Sequence, residues 1–183
     1  MSATANETRT RTETVSQQTD AAPGRRAEAL ANRLEEGAAL LAAFAEGLSD
    51  EEWRTPVSAS DRRSLGVIVH HVASMYPLEI EAARTIARGQ AITDVTWEAV
   101  AQINAGHARD QADVTKAEAL ELLRRNSHEA AAAVRSFTDE ELDRAAPFSL
   151  SFGAPMTAQF VIEDHPLRHS WHHLARLRKA VGR

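Results

Sequence analysis

The chain has 183 residues, a length that fits one domain of ordinary size. It is 43% hydrophobic but only 5% aromatic, and 35 of its residues are alanine, so the core must be aliphatic and helix is favoured over sheet. A net charge of −5 with no basic run excludes a stripe able to neutralise several phosphates, and the absence of cysteine excludes disulfides, thiolate metal sites, iron–sulfur clusters and a cysteine nucleophile.

Residues 1–23 are polar, with almost no large apolar side chain, and predict a disordered N-terminal arm before one helical domain over residues 24–183. From Arg25 to about Gly47, Leu30, Leu34, Leu41 and Phe44 recur near the helical period. Ser49 with Glu52 is a capping-box pattern for a short turn ending near Trp53, and the polar stretch Thr55 to Arg63, with Pro56, is a loop. Ser64 opens a second long helix that Gly89 closes and Pro77 should kink. A third helical stretch runs from Thr96 to about Arg109. Thr115 with Glu118 starts a helix through Leu120, Leu123, Ala131, Val134 and Phe137, and Thr138 with Glu141 starts one more short turn. Residues 145–157 read as a long loop with a short extended piece. Thr157 caps the last helix, about Ala158 to Val181, with Pro166 inside it. An all-α fold, a four-helix bundle, is the natural packing.

The histidines are unevenly placed. His70 and His71 are adjacent in the second helix, while His165, His169, His172 and His173 crowd the last. Imidazole is the commonest protein metal ligand, and two histidines four apart on a helix share a face. On a helical wheel His169 and His173 flank the apolar face of the last helix, and His165 and His172 fall on its solvated face. In the second helix His71 lies near the apolar face and His70 nearly opposite. His71, His169 and His173 can therefore meet inside a bundle, where three neutral imidazoles leave a metal with open positions. The competing reading is three boundary histidines that bond locally.

The segment Ser64-Leu-Gly-Val-Ile-Val-His-His71-Val-Ala resembles the second-helix signature of the DinB/YfiT-like family. His169-Ser-Trp-His-His173-Leu-Ala-Arg-Leu-Arg resembles its last-helix signature, and Leu48-Ser-Asp-Glu-Glu-Trp53-Arg-Thr-Pro is similar to its first interhelical turn. The resemblance covers roughly residues 26–182. It implies a four-helix bundle holding a divalent metal, nickel or zinc, on His71, His169 and His173. It also implies a metal-dependent activity of the thiol S-transferase or hydrolase type on a small electrophilic molecule, with a low-molecular-weight thiol such as mycothiol as co-reactant. A non-catalytic bundle that binds a metal or a small molecule is the alternative.

Glu79 falls near the centre of the apolar face of the second helix, where a carboxylate needs a partner. It either orients a ligand histidine or, the favoured reading, pairs with an arginine such as Arg63 or Arg168. Trp53, Tyr76, Trp97 and Trp171 are expected in the core or as pocket walls, and Asn104 and His107 at a pocket mouth. The expected partners are a small-molecule substrate or ligand and a second copy of the chain as a homodimer, with no nucleic acid and no membrane. No stretch approaches the roughly 20 apolar residues of a membrane span, and the expected location is cytoplasmic.

Overall fold

Leu30, Leu34 and Leu41, with the alanines between them, bury one stripe of helix α1 (Arg25–Glu46). The computed structural model describes residues 24–183, so the expected disordered arm lies outside the described residues. All three capping boxes form. Ser49 opens α2 (Asp50–Arg54), Thr115 opens α5 (Lys116–Arg135) and Thr138 opens α6 (Asp139–Asp143). Each hydroxyl accepts from the backbone N–H three residues on, and the glutamate there accepts from the backbone N–H of the cap.

Helix α3 (Leu65–Ala87) starts on the Ser64 hydroxyl and ends at Gly89, whose φ of +73° only glycine adopts without strain. The backbone N–H groups of Gly89 and Gln90 reach back to Ile86 and Thr85, closing a Schellman turn. Helix α4 (Trp97–Asp110) forms where expected but has no buried residue. Trp97, expected in the core or on a pocket wall, is instead 57% exposed. Its helix lies against α3 with side chains that are at most partly buried, and the indole is on the exposed side.

The loop after α6 folds into a hairpin of β1 (Ala145–Pro147) and β2 (Pro155–Thr157), and Ile92 pairs with Phe148 beside it. The last helix is not uniform. Thr157 caps α7 (Ala158–Ile162), the chain then widens into a π-type turn over Glu163–Leu167, and α8 (Arg168–Ala180) follows. Pro166 has no N–H to return to Ile162, and the wider turn absorbs that loss.

The four-membered ring is α1, α5, α3 and the α7–α8 segment, in that order. Helix α5 packs between α1 and α3, the C-terminal segment packs on the same two from the other side, and α1 and α3 barely touch. The interior is aliphatic and alanine-rich, as composition requires. Two glycines let indoles lie against helix backbones, Gly37 under Trp171 and Gly66 under Trp53. The Trp53 indole N–H also donates to the Val114 carbonyl at 2.9 Å, tying the first interhelical turn to the start of α5.

Candidate metal centre

Helices α3 and α8 are ring neighbours, and their facing sides carry the histidines. His71 of α3 and His169 and His173 of α8 each offer a ring nitrogen, and the three nitrogens lie within 4.8 Å of one another. His71 Nε2 and His169 Nε2 are 3.2 Å apart. The ring centroids are 5.0 Å apart for His71 and His169, 5.6 Å for His71 and His173, and 4.9 Å for His169 and His173. Below them a buried hydrogen bond of 2.6 Å between the Tyr76 and Ser170 hydroxyls joins the same two helices and sets their spacing. Burial raises the Tyr76 phenol above its usual range, so it stays neutral there.

His71 is 5% exposed and His173 is 7% exposed. Burial first, and then the neighbouring imidazoles, push His71 down to about 3 and His173 down to about 2. Both rings are therefore neutral near pH 7, the state in which imidazole can ligate a metal. Among the described residues, the Nδ1 atoms of His71, His173 and His169 are all buried without a hydrogen-bond partner. Three imidazole nitrogen donors at this separation suit a divalent transition ion and leave coordination positions free.

Among the described residues Glu79 has no arginine partner, contrary to the favoured expectation. Arg63 is engaged by Asp61 at 2.7 Å and Arg168 by Asp164 at 2.9 Å. Instead Glu79 Oε1 lies 2.7 Å from His169 Nδ1. Asp61 also holds Arg176 of α8 at 2.9 Å, and the two guanidiniums, Arg63 foremost, keep its carboxyl well below the usual carboxylate range.

Two other histidines depart from the helical-wheel reading. His70, expected in water, is half-buried, with its Nδ1 2.8 Å from Nε2 of His107. The two rings stack, and the His107 centroid is 5.5 Å from that of His71. Helix α4 covers this side of α3, so the face opposite the core is not solvent. Burial lowers both His70 and His107 from the ordinary histidine value. His165, also placed on the solvated face, is partly buried edge-on against Phe148 at 5.5 Å, because the π-type turn shifts the angular phase ahead of α8. His172 remains exposed as expected. Nothing in the sequence pairs His107 with His70, since the contact joins two helices of different phase. Asn104, one turn earlier on α4, has a buried Oδ1 without a partner among the described residues.

No described helix is long and apolar enough to cross a membrane. No curated protein matches the chain in sequence. Among solved structures, YfiT from Bacillus subtilis, described as a probable metal-dependent hydrolase with an unusual four-helix bundle topology, is similar with a TM-score of 0.67 and 20% identity. That alignment covers 95% of this chain and 94% of YfiT. The colibactin self-resistance protein ClbS, solved in complex with a dsDNA, is similar with a TM-score of 0.65 and 18% identity over 85% of this chain and 94% of ClbS. At these identities the likeness is one of fold, and the ClbS complex stands in tension with the expectation that this chain has no nucleic-acid partner. The sequence pattern of the DinB superfamily matches residues 33–177. With that match spanning most of the chain, and the bundle shared with both structures, the protein belongs to the DinB superfamily.

Proposed function

We propose that the protein binds a divalent metal, nickel or zinc, on His71, His169 and His173, and acts as a metal-dependent enzyme on a small electrophilic molecule, by thiol transfer or hydrolysis. The observation that supports this most is the convergence of three imidazole nitrogens within 4.8 Å, two of them on rings that burial keeps neutral. Bound there, such an ion would supply Lewis acidity toward the electrophile and would lower the pKa of a water or thiol brought to it. The chain has no cysteine, so a thiol reaction requires a small-molecule thiol such as mycothiol.

The chain's own groups shape what can happen there. The Tyr76–Ser170 bond ties α3 to α8, and the Asp61–Arg176 pair ties the loop before α3 to α8, so the three rings are presented without large rearrangement. The stacked His70–His107 pair borders the site, with the His107 ring 5.5 Å from that of His71. The near-closure of the site favours a second reading, in which the bundle holds its ion without turnover, because His71 and His173 are only 5% and 7% exposed.

Elemental analysis of the protein purified without added metal tests the first claim. Near-stoichiometric nickel or zinc is expected. Protein that stays metal-free after dialysis against either ion would sink it. A turnover screen of the loaded protein with a thiol and a panel of electrophiles, and with water alone, separates the enzyme from the non-catalytic binder.

A further inference from the structure

We infer that Glu79 is a positioning residue for His169: its carboxylate holds the imidazole as the Nδ1–H tautomer and so turns the Nε2 lone pair toward His71 and His173. This rests on the three histidines being a divalent-metal site and adds a residue to it.

Glu79 lies eight residues after His71 on α3, about two turns along the same face, and α8 brings His169 over it. Both side chains are largely buried, 10% exposed for Glu79 and 14% for His169. The separation of 2.7 Å from Oε1 to Nδ1 is the length of a charge-assisted hydrogen bond. The pair is a close contact and not a formed hydrogen bond, since the oxygen lies off the line of the ring N–H and His169 Nδ1 is otherwise unpartnered among the described residues. On the opposite side of the same ring, Nε2 faces His71 Nε2 at 3.2 Å. A neutral imidazole has one donor and one acceptor nitrogen, so a carboxylate that fixes the proton on Nδ1 leaves Nε2 as the ligand atom.

The alternatives for this carboxylate are occupied elsewhere. Arg63 and Arg168 have their own acids, and His169 is the one ion-pair partner of Glu79 among the described residues. The other oxygen, Oε2, is buried without a partner among the described residues. A buried carboxylate whose sole counterpart is an imidazole is short of positive charge, and a divalent ion on the far nitrogen of that imidazole provides it. Nδ1 is unpartnered by a formed hydrogen bond in all three histidines, but among the described residues only His169 of the three has a carboxylate within ion-pair distance of it, at 2.7 Å. His169 is thus the ligand whose tautomer the protein itself sets.

Two measurements test this. Long-range 1H–15N correlation spectra of the wild-type protein, metal-free and with one equivalent of zinc, read the His169 tautomer, and Nδ1–H is expected in both. Competition with a chromophoric zinc chelator then compares wild type with Glu79→Gln and Glu79→Leu. A roughly 10–100-fold rise in zinc Kd is expected for Glu79→Leu. Glu79→Gln, which keeps an acceptor oxygen but loses the charge, should fall between. A wild type that takes up no zinc overturns the metal site and this role with it. A wild type that binds zinc with His169 as the Nε2–H tautomer overturns the positioning role alone, as does a Glu79→Leu protein that binds as tightly as wild type. If the variants fail to fold, the wild-type spectra decide.

Discussion

Asn126 supplies the hydrogen bond that Pro77 removes. A proline at position 77 cannot donate to the Ala73 carbonyl four residues earlier, and the side-chain amide of Asn126, reaching from α5, donates to that carbonyl at 2.9 Å in a buried environment. Helix α3 therefore continues through Pro77 with the freed acceptor satisfied across the bundle. Asn126→Ala should cost about 1–3 kcal/mol, because it leaves a buried carbonyl unpaired. Pro77→Ala restores an intrahelical donor, so the cost of Asn126→Ala should shrink in that background. Urea unfolding of the four proteins of this double-mutant cycle measures the coupling, and additive effects would refute the link.

Gly66 and Gly37 let tryptophan rings lie directly on helix backbones. A Cβ at Gly66 would overlap the Trp53 indole, and one at Gly37 the Trp171 indole. Gly66→Ala and Gly37→Ala should each destabilise by about 1–3 kcal/mol, despite alanine's better helix propensity. Gly47→Ala, where the nearest neighbours are at ordinary van der Waals distance, is the control. Thermal midpoints in which all three variants match wild type would show that the indoles yield freely.

Removing single histidines should sort them. His71→Ala, His169→Ala and His173→Ala should each lose most of the bound nickel or zinc, while the exposed His172→Ala retains it. His70→Ala should also retain the ion, because its ring bonds to His107 and not to the triad. Equal loss in all five, read by elemental analysis, would point to adventitious surface binding.

The pH dependence of folding has a definite sign. His71 and His173 sit at about 3 and about 2 in the folded chain against an ordinary value of 6.5. As pH falls below about 6.5, the unfolded chain takes up protons at these positions and the folded chain does not, so stability must drop. The drop continues until pH nears the folded values, and above pH 7 these two groups contribute no slope. Urea midpoints of the metal-free protein at pH 7, 5 and 4 should decline in that order, and His173→Phe should flatten the decline. Equal slopes in the two proteins would mean that His173 is not buried as a neutral ring.

Duplex DNA should not bind tightly. The net charge is −5 and several arginines are engaged by acids, as in the Arg135 pairs with Glu28 and Glu35, both of which weaken attraction for a phosphate backbone. Gel-shift titration at physiological salt should give no complex at micromolar protein. A complex that weakens steeply with added salt would place this chain with ClbS in that respect.

Much of this protein was legible because its determinants are local. Helix positions followed from apolar spacing, and their starts from Ser49, Ser64, Thr96, Thr115, Thr138 and Thr157, each of which caps the helix it precedes. The inward turn of His71, His169 and His173 followed from the same periodicity, since a ring on the flank of an apolar stripe goes where that stripe goes.

Tertiary structure decided what depends on partners from distant segments. A wheel describes one helix against an assumed solvent, so it could not know that α4 covers the His70 side of α3, or that a π-type turn changes the phase at His165. It showed that Glu79 needed a partner but not which one, because His169 and both arginines lie within reach of some packing of the same helices. Only the ring order, with α3 beside α8, selects His169, and it does so because hydrogen-bond partners are chosen by distance in space and not by spacing along the chain.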